Sequence, residues 1–169
     1  MEETIRIAGV VKESIVDGPG IRYVIFTQGC PHKCEGCHNP QTHDFNGGKI
    51  VNISKLLDDI KKNPLIKGIT VSGGEPFAQA SNVAKLIYSL DKNRYNIMVY
   101  TGYTYENLIK NSTDKNGFLK LLNLTDILID GKFEITLKDS FIPFRGSSNQ
   151  RAIDVKESLK SNEVILYNF

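Results

Sequence analysis

Residues 30–38 read CPHKCEGCH and contain all three cysteines of the chain, in the spacing C-x3-C-x2-C. Three thiolates on one short loop can surround a metal centre without ligands from distant parts of the sequence. A [4Fe–4S] cluster is normally held by four cysteines, so three would leave one iron open to a small molecule. An open coordination position distinguishes a reactive metal site from a closed structural one.

Zinc binding and disulfide formation are the two other uses that these cysteines suggest. Zinc takes four nitrogen or sulfur ligands, and three cysteines with one histidine would satisfy it. Zinc motifs usually place two ligand pairs well apart, whereas every candidate ligand falls within residues 30–43. The odd cysteine count, and residues 1–11 without a long apolar run, disfavour disulfides. The pattern favours a reduced, cluster-binding protein, with a zinc-binding interaction module as the alternative from another class.

The composition is that of an ordinary water-soluble protein. A chain of 169 residues, 40% hydrophobic and 24% charged, predicts a single domain over residues 1–169 with a sizeable core. The net charge of +2 is too balanced to indicate a nucleic acid or an anionic membrane surface as partner. No apolar run approaches the ~20 residues that span a bilayer. We expect a cytoplasmic protein that binds neither nucleic acid nor membrane.

Hydrophobic periodicity predicts strands that alternate with helices. The predicted strands are residues 4–12, 21–27, 66–72, 96–101, 125–130, 152–155 and 163–167, and the predicted helices are 53–62, 79–92, 105–109 and 118–122. This alternation indicates βα units and a parallel sheet. A closed eight-stranded barrel needs about 250 residues. The expected fold class is therefore α/β, with a partial (βα) barrel or an open, mostly parallel sheet.

Four candidate binding segments directly follow predicted strands. They are the cysteine loop, Gly73-Gly74-Glu75, Thr101-Gly102 and Asp130-Gly131-Lys132. Binding residues in parallel α/β folds gather in loops at the carboxyl ends of the strands, so we expect these segments to meet at one edge of the sheet. Asp130 and Lys132 should point the same way, because side chains alternate with a period of two.

These residues resemble the radical S-adenosylmethionine superfamily. The similarity rests on Cys30, Cys34 and Cys37 after one strand and on Gly73-Gly74-Glu75 after the next. Further stretches resemble, more narrowly, the activating proteins of anaerobic (class III) ribonucleoside-triphosphate reductases. They are residues 17–22 (DGPGIR), 36–39 (GCHN), 100–103 (YTGY), 128–133 (LIDGKF) and 144–150 (FRGSSNQ). The matches extend over residues 17–151, nearly the whole chain, and imply a radical S-adenosylmethionine fold.

The resemblance implies the cofactors and the reaction. Cys30, Cys34 and Cys37 would be the metal ligands and catalytic residues of a [4Fe–4S] cluster whose fourth iron is open and chelated by S-adenosylmethionine. An external one-electron reductant would drive reductive cleavage, and the 5′-deoxyadenosyl radical would abstract hydrogen from a glycine of the partner. That partner is the glycine-radical loop of the large subunit of anaerobic ribonucleoside-triphosphate reductase.

Two alternatives keep the cofactors and change the substrate. One is another glycyl-radical enzyme, and the other is a small molecule, as in 7-carboxy-7-deazaguanine synthases. The resemblance is compatible with a homodimer or with a heterotetramer that includes the reductase. The turn at residues 17–22 is a candidate contact for the partner's glycine loop.

The same resemblance assigns a set of residues to S-adenosylmethionine. Gly73 and Gly74 would let the backbone approach its methionine moiety, and Glu75 would accept hydrogen bonds from its ammonium group. Gly36 precedes the third cysteine, where many superfamily members have an aromatic residue, so His38 is the candidate to flank the adenine. The remaining candidates are Cys37, Thr101, Asp130, Lys132 and Arg145.

Their expected roles differ. Asp130 and Lys132 would hold the ribose hydroxyls or the methionine carboxylate, with an ordinary surface pair as the alternative. Arg145 would bind a carboxylate or the partner. His32 and His43 are expected to be surface residues.

Overall fold

The computed structural model describes residues 3–169, which contain seven strands and five α-helices. The strands are β1 (Thr4–Ser14), β2 (Arg22–Thr27), β3 (Lys49–Asn52), β4 (Gly68–Gly73), β5 (Asn96–Tyr100), β6 (Ile127–Asp130) and β7 (Arg151–Asp154). The helices are α1 (Ile53–Lys61), α2 (Ala80–Tyr88), α3 (Tyr105–Lys110), α4 (Phe118–Leu124) and α5 (Val155–Ser161). None of the helices within residues 3–169 has the length and apolar character needed to cross a membrane.

All seven strands form one sheet in the order β3-β1-β2-β4-β5-β6-β7. Strands β2, β4, β5 and β6 pair in parallel, while β1 lies antiparallel to both β2 and β3, and β7 lies antiparallel to β6. Five of the seven strands therefore run in the same direction, and the linear order leaves the sheet open. This confirms the predicted α/β class with an open, mostly parallel sheet.

The two faces of the sheet are covered differently. Ile97 and Val99 of β5 belong to the large core beneath the helices, whereas Met98 between them belongs to a smaller cluster with Ile127 and Ile129. Because side chains alternate along a strand, the smaller cluster lies on the opposite face. Phe144 and Tyr167 pack against it, so loops rather than helices cover this second face.

Four local features differ from the predictions. Strand β3 and helix α5 were not predicted, and residues 163–167 form only an isolated bridge between Leu166 and Ile153 instead of a strand. β3 exists because it pairs with residues 4–7 of β1, a long-range contact without a local signal. Helix α2 ends at Tyr88, four residues before the predicted end at 92.

Arg22 begins β2 and is fully buried. Its guanidinium donates to Thr70 Oγ1 at 2.7 Å, to Pro19 O at 2.9 Å and to Asn96 O at 2.9 Å. Burial lowers the pKa of Arg22 to about 10, so the side chain stays charged at neutral pH. Arg22 therefore fixes the turn from inside, and a contact between the turn at residues 17–22 and a partner stays a prediction.

An acid-sensitive contact joins α1 to the sheet. The Tyr23 hydroxyl donates to Asp59 Oδ2 at 2.7 Å, and Lys12 Nζ lies 2.9 Å from Asp59 Oδ1. The hydrogen bond from Tyr23, followed by the one from Lys12, lowers the pKa of Asp59 below its ordinary value of 3.8. The stabilisation is therefore fully present above pH 3.8 and is lost as the pH falls through the lowered pKa.

We expect Asp59→Asn to reduce the free energy of unfolding by about 1 kcal/mol at pH 7. The difference from wild type should shrink as the pH falls below 3.8, since the native carboxylate is then protonated too. Urea unfolding of both proteins at several pH values measures this. A difference that stays constant down to pH ~2 would contradict the assignment.

Candidate functional site

A cavity of about 560 Å³ lies at the carboxyl ends of the parallel strands, on the face that the helices leave uncovered. This volume lies in the usual range for sites of small ligands. All four segments singled out from the sequence contribute lining residues: Cys30, Cys34, Cys37, Gly73, Gly74, Thr101, Gly102, Gly131 and Lys132. The segments therefore meet at one edge of the sheet, as the strand pattern predicts.

The cysteine loop places its three thiols around this cavity. Cys30 is buried, and Cys34 and Cys37 are half-buried, all three as free thiols. The Cys37 amide donates to Cys34 O at 3.2 Å across a turn in which Gly36 has a φ of +71°. Burial raises the pKa of the Cys30 thiol, while the backbone of His32 and Lys33 acts in the opposite direction.

The donor set fits an iron–sulfur cluster better than a single ion. Within residues 3–169, no group of three or more His, Cys, Asp or Glu side chains is arranged to hold one metal ion. In a [4Fe–4S] cluster each thiolate binds a different iron, so the sulfurs must stand farther apart than the ligands of one ion. Three free thiols lining one cavity fit this requirement in their chemistry.

Backbone hydrogen bonds tie the cysteine loop to its neighbours. Gly29 N donates to Thr42 O at 2.7 Å, and Cys30 N donates to His43 O at 3.1 Å. The loop after β4 reaches the same stretch, because Glu75 N donates to Gly29 O at 2.8 Å. The start of the cysteine loop is thus held on two sides before any ligand binds.

Glycines are required where β4 meets the cysteine loop. Gly73 has a φ of +95°, and a Cβ there would lie 2.5 Å from Thr27 N. A Cβ on Gly74 would overlap the carbonyl oxygen of Gly29 and lie 3.0 Å from Thr42 O. Only residues without a side chain permit this close approach of two backbones. Both glycines line the cavity, and their contact with a ligand stays a prediction.

Glu75 lies in a buried, fully hydrogen-bonded environment. The side chain is fully buried and lies beneath the cavity, not among its lining residues. Its carboxylate accepts hydrogen bonds from Phe77 N at 2.9 Å, from Gly102 N at 2.8 Å and from Thr101 Oγ1 at 2.9 Å. Because protein donors engage both oxygens, Glu75 organises the loops around the site, and its contact with a bound ammonium group stays a prediction.

His32 is the residue that the sequence analysis placed wrongly at the surface. Only 7% of its side chain is exposed, and its Nε2 lies 2.6 Å from Glu75 Oε2. The ring packs edge-on against Tyr103, with 4.6 Å between ring centroids. The one available signal was its position between the first two cysteines. His43, which was also expected at the surface, lines the cavity and is half-buried.

Asp130 and Lys132 do not act together as predicted. The buried Asp130 carboxylate accepts from Tyr105 N at 2.8 Å and pairs with Arg151 at 2.5 Å. Arg151 also pairs with Glu106, and these two carboxylates raise its pKa. Lys132 is exposed and lines the cavity. The period-two expectation fails because Gly131, with a φ of +97°, ends the strand between them.

The other predicted ligand residues divide into lining and supporting positions. His38 and Arg145 line the cavity, and the His38 ring lies 4.9 Å from that of Phe133. Among residues 3–169, Arg145 makes one hydrogen bond, from Nε to Pro143 O at 3.2 Å, and no ion pair. Gly36 is exposed and lies outside the cavity lining, so its contribution is the turn between Cys34 and Cys37.

Comparisons with known proteins agree with this site. A family model described as "4Fe-4S single cluster domain" matches residues 16–153. A protein of Enterobacteria phage T4 is 36% identical over 142 residues, which cover 80% of this chain and 85% of that one. A protein of Escherichia coli K12 is 37% identical over 145 residues, which cover 80% and 90%. Both are named anaerobic ribonucleoside-triphosphate reductase-activating protein.

One solved structure is also similar to this chain, at a lower identity than the two relatives above. The crystal structure of QueE from Escherichia coli matches with a TM-score of 0.45 and 18% identity, over 60% of this chain and 54% of that one.

Proposed function

Because the chain belongs to the family of anaerobic ribonucleoside-triphosphate reductase-activating proteins, we propose that it generates a glycyl radical on such a reductase. The observation that carries this proposal is a single cavity that holds all three cysteines beside the Gly73-Gly74 backbone. Family membership supports an iron–sulfur cluster as cofactor and a reductase as partner. In this proposal, the cluster and the partner would meet at the cavity.

Cys30, Cys34 and Cys37 would hold a [4Fe–4S] cluster and leave its fourth iron for S-adenosylmethionine. When bound, these cofactors supply a one-electron reductive cleavage that yields a 5′-deoxyadenosyl radical, the species that takes the hydrogen atom. An external one-electron reductant would supply the electron. The role of the protein is to position the reactants and to fix the charges around them.

Lys132 and Arg145 are the cations proposed for the carboxylate of S-adenosylmethionine or for the partner. Both line the cavity, and neither forms an ion pair within the described part of the chain. An unpaired cation in a cavity can bind a carboxylate without breaking an existing contact. His38 and Phe133 would form the wall against which the adenine packs.

Thr101 and Asp130 are proposed to support the site indirectly. Thr101 Oγ1 donates to Glu75 and accepts from Tyr103 N at 3.1 Å, which fixes the loop after β5. Asp130, held by Arg151, fixes the start of α3 through Tyr105 N. Both residues thereby position backbone around the cavity while their own polar atoms remain engaged by protein.

The surroundings of the cavity favour a protein substrate over a small molecule. Val16 lines the cavity and is 73% exposed, and Phe141, between the lining residues Ser140 and Ile142, is 97% exposed. Exposed large apolar side chains beside a site are typical of protein contact surfaces. A glycine suits the reaction, because both flanking peptide groups stabilise its Cα radical and no side chain blocks approach.

Anaerobic purification followed by metal and product analysis tests the proposal. We expect about four iron and four sulfide per chain, cleavage of S-adenosylmethionine under reducing conditions, and co-purification with an anaerobic reductase. Zinc without sulfide would contradict the cluster. Cleavage that is stimulated by a small molecule or by another glycyl-radical enzyme, and not by the reductase, would contradict the proposed substrate.

A further inference from the structure

We propose that the reductase docks on an apolar rim at the mouth of the cavity, with Phe141 as the side chain that anchors it. The rim consists of Ile15 and Val16 after β1 and of Phe141 on the loop at residues 139–146, which we call the rim loop. The inference deepens the proposed function and rests on it for the identity of the partner. It concerns how the partner is held, not how the cofactors react.

Exposed apolar side chains are concentrated at this mouth. Phe141, Ile15 and Val16 are 97%, 76% and 73% exposed, which makes them the three most exposed large apolar side chains within residues 3–169. Val16 lines the cavity, Ile15 is its neighbour, and Phe141 lies between the lining residues Ser140 and Ile142. Single exposed apolar residues are common, but a group of them around a site is typical of a contact surface.

A partner that delivers a glycine into the cavity has to meet this rim. The cavity of about 560 Å³ has the volume of a site for a small ligand, so a folded protein can insert only a short loop. A stable interface between proteins buries about 800 Å² on each partner. The surface around the mouth must supply much of that area, and the rim is therefore covered when the glycine is in place.

Hydrogen bonds hold the rim loop, so Phe141 is presented on a fixed backbone. Asp139 N donates to Gly146 O at 3.1 Å and closes the loop, and Phe141 N donates to Asp139 Oδ1 at 2.9 Å. The Tyr100 hydroxyl, at the end of β5, donates to Phe144 O at 2.6 Å and ties the loop to the sheet. A loop that is ordered before binding loses little conformational entropy on binding.

The segment after β1 is fixed in the same way. Ser14 Oγ donates to Asp17 Oδ2 at 2.5 Å, and Thr70 Oγ1 donates to Asp17 O at 2.7 Å. Ile15 and Val16 lie between the two residues that these bonds join. The rim thus presents its apolar side chains from two segments that are ordered without the partner.

Phe141 fits the role of an anchor best. Aromatic side chains are enriched in the buried core of protein interfaces, and a few residues there carry most of the binding energy. Because Phe141 is almost fully exposed, its transfer into an apolar pocket would bury nearly the whole ring. The reductase should therefore offer an apolar pocket next to the loop that carries its glycine.

The test measures binding of the anaerobically reconstituted chain to the anaerobic ribonucleoside-triphosphate reductase of the same organism. We expect Phe141→Ser to raise the Kd about thirtyfold. Ile15→Ser should raise it about fivefold, since a smaller side chain is removed. Phe141→Leu keeps an apolar side chain and should lose much less affinity. All three variants should unfold at the wild-type temperature, because exposed side chains contribute little to stability.

Tyr88→Ser is the matched control. Tyr88 is 71% exposed and lies on α2, among the helices that cover the other face of the sheet. This variant should bind the reductase like wild type. Phe141→Ser should cleave S-adenosylmethionine at the wild-type rate when a chemical reductant replaces the partner. Its yield of glycyl radical should recover at high reductase concentration, because the lost contact affects binding and not the chemical step.

The outcomes separate the docking surface from the proposed function. Wild-type affinity of Phe141→Ser, or an equal loss in Tyr88→Ser, would overturn the inference, and a glycyl radical formed by the wild-type chain would leave the proposed function intact. Binding that depends on Phe141 but yields no glycyl radical would support the docking surface and contradict the proposed function. Sedimentation of the chain alone tests self-association: a dimer that Phe141→Ser dissociates would make the rim an interface between copies and overturn the inference.

Discussion

Replacing Cys34 by alanine is expected to abolish cleavage of S-adenosylmethionine while the chain remains folded. Cys34 is half-buried, so loss of its thiol removes little packed surface. Two thiolates cannot hold the proposed cluster in the cavity, and the reaction depends entirely on the cluster. We expect cleavage to fall by about a thousandfold or more. Formation of 5′-deoxyadenosine by the anaerobically reconstituted proteins is the measurement.

Glu35→Ala provides the matched control for Cys34→Ala. Glu35 is the next residue in the loop, and its side chain is exposed. The control should retain iron, sulfide and cleavage at wild-type levels, with the same thermal unfolding midpoint as Cys34→Ala. Full cleavage by Cys34→Ala would refute the assignment of the three cysteines as cluster ligands.

Replacing Gly74 by alanine is the second change with a large expected effect. The added Cβ would overlap Gly29 O and approach Thr42 O, and both are backbone atoms that cannot rotate away. Relief requires the cysteine loop to move off β4, which breaks the hydrogen bond from Glu75 N to Gly29 O. We expect the free energy of unfolding to fall by about 3 kcal/mol and cluster content to fall with it.

Gly9→Ala separates the steric effect of Gly74→Ala from a general effect of adding a methyl group. No atom lies within 4 Å of a Cβ built on Gly9. This variant should therefore unfold at the same denaturant concentration as wild type or at a slightly higher one. Denaturant unfolding and iron content of both variants give the comparison. A Gly74→Ala protein with wild-type stability and wild-type iron would show that the two backbones need not approach so closely.

Patterns that act locally were sufficient for most of the fold. The run of β-branched residues in β2 and the apolar stripes of α1 and α2 depend on neighbours in sequence, and these elements were predicted. β3 was missed because its four residues are held by β1, more than forty positions earlier. In α5 the apolar residues Val155 and Leu159 lie one helical turn apart. The helix was not predicted because the strand-like run just before it hid the change from a period of two to a period of 3.6 residues.

The candidate site divides in the same way. The loops at the strand ends followed from the rule for parallel sheets, and Cys30, Cys34 and Cys37 followed from their spacing. The hydrogen-bond partners of buried polar groups could not be predicted from the sequence. His32 and Glu75, for example, are 43 positions apart. Sequence alone shows that a charged residue is present, but its partner depends on how the loops pack. The ion pair of Asp130 with Arg151 was not predicted for this reason, since the two residues are 21 positions apart.

The most direct test of the central claim is low-temperature electron paramagnetic resonance of the reduced, anaerobically reconstituted chain with S-adenosylmethionine and an anaerobic ribonucleoside-triphosphate reductase. The account predicts a [4Fe–4S]⁺ signal that changes when S-adenosylmethionine is added, followed by a glycyl-radical doublet on the reductase. A cluster signal that responds to S-adenosylmethionine but never gives the doublet would contradict activation of the reductase. A chain that binds zinc and shows no cluster signal would contradict the assignment of the cysteine loop itself.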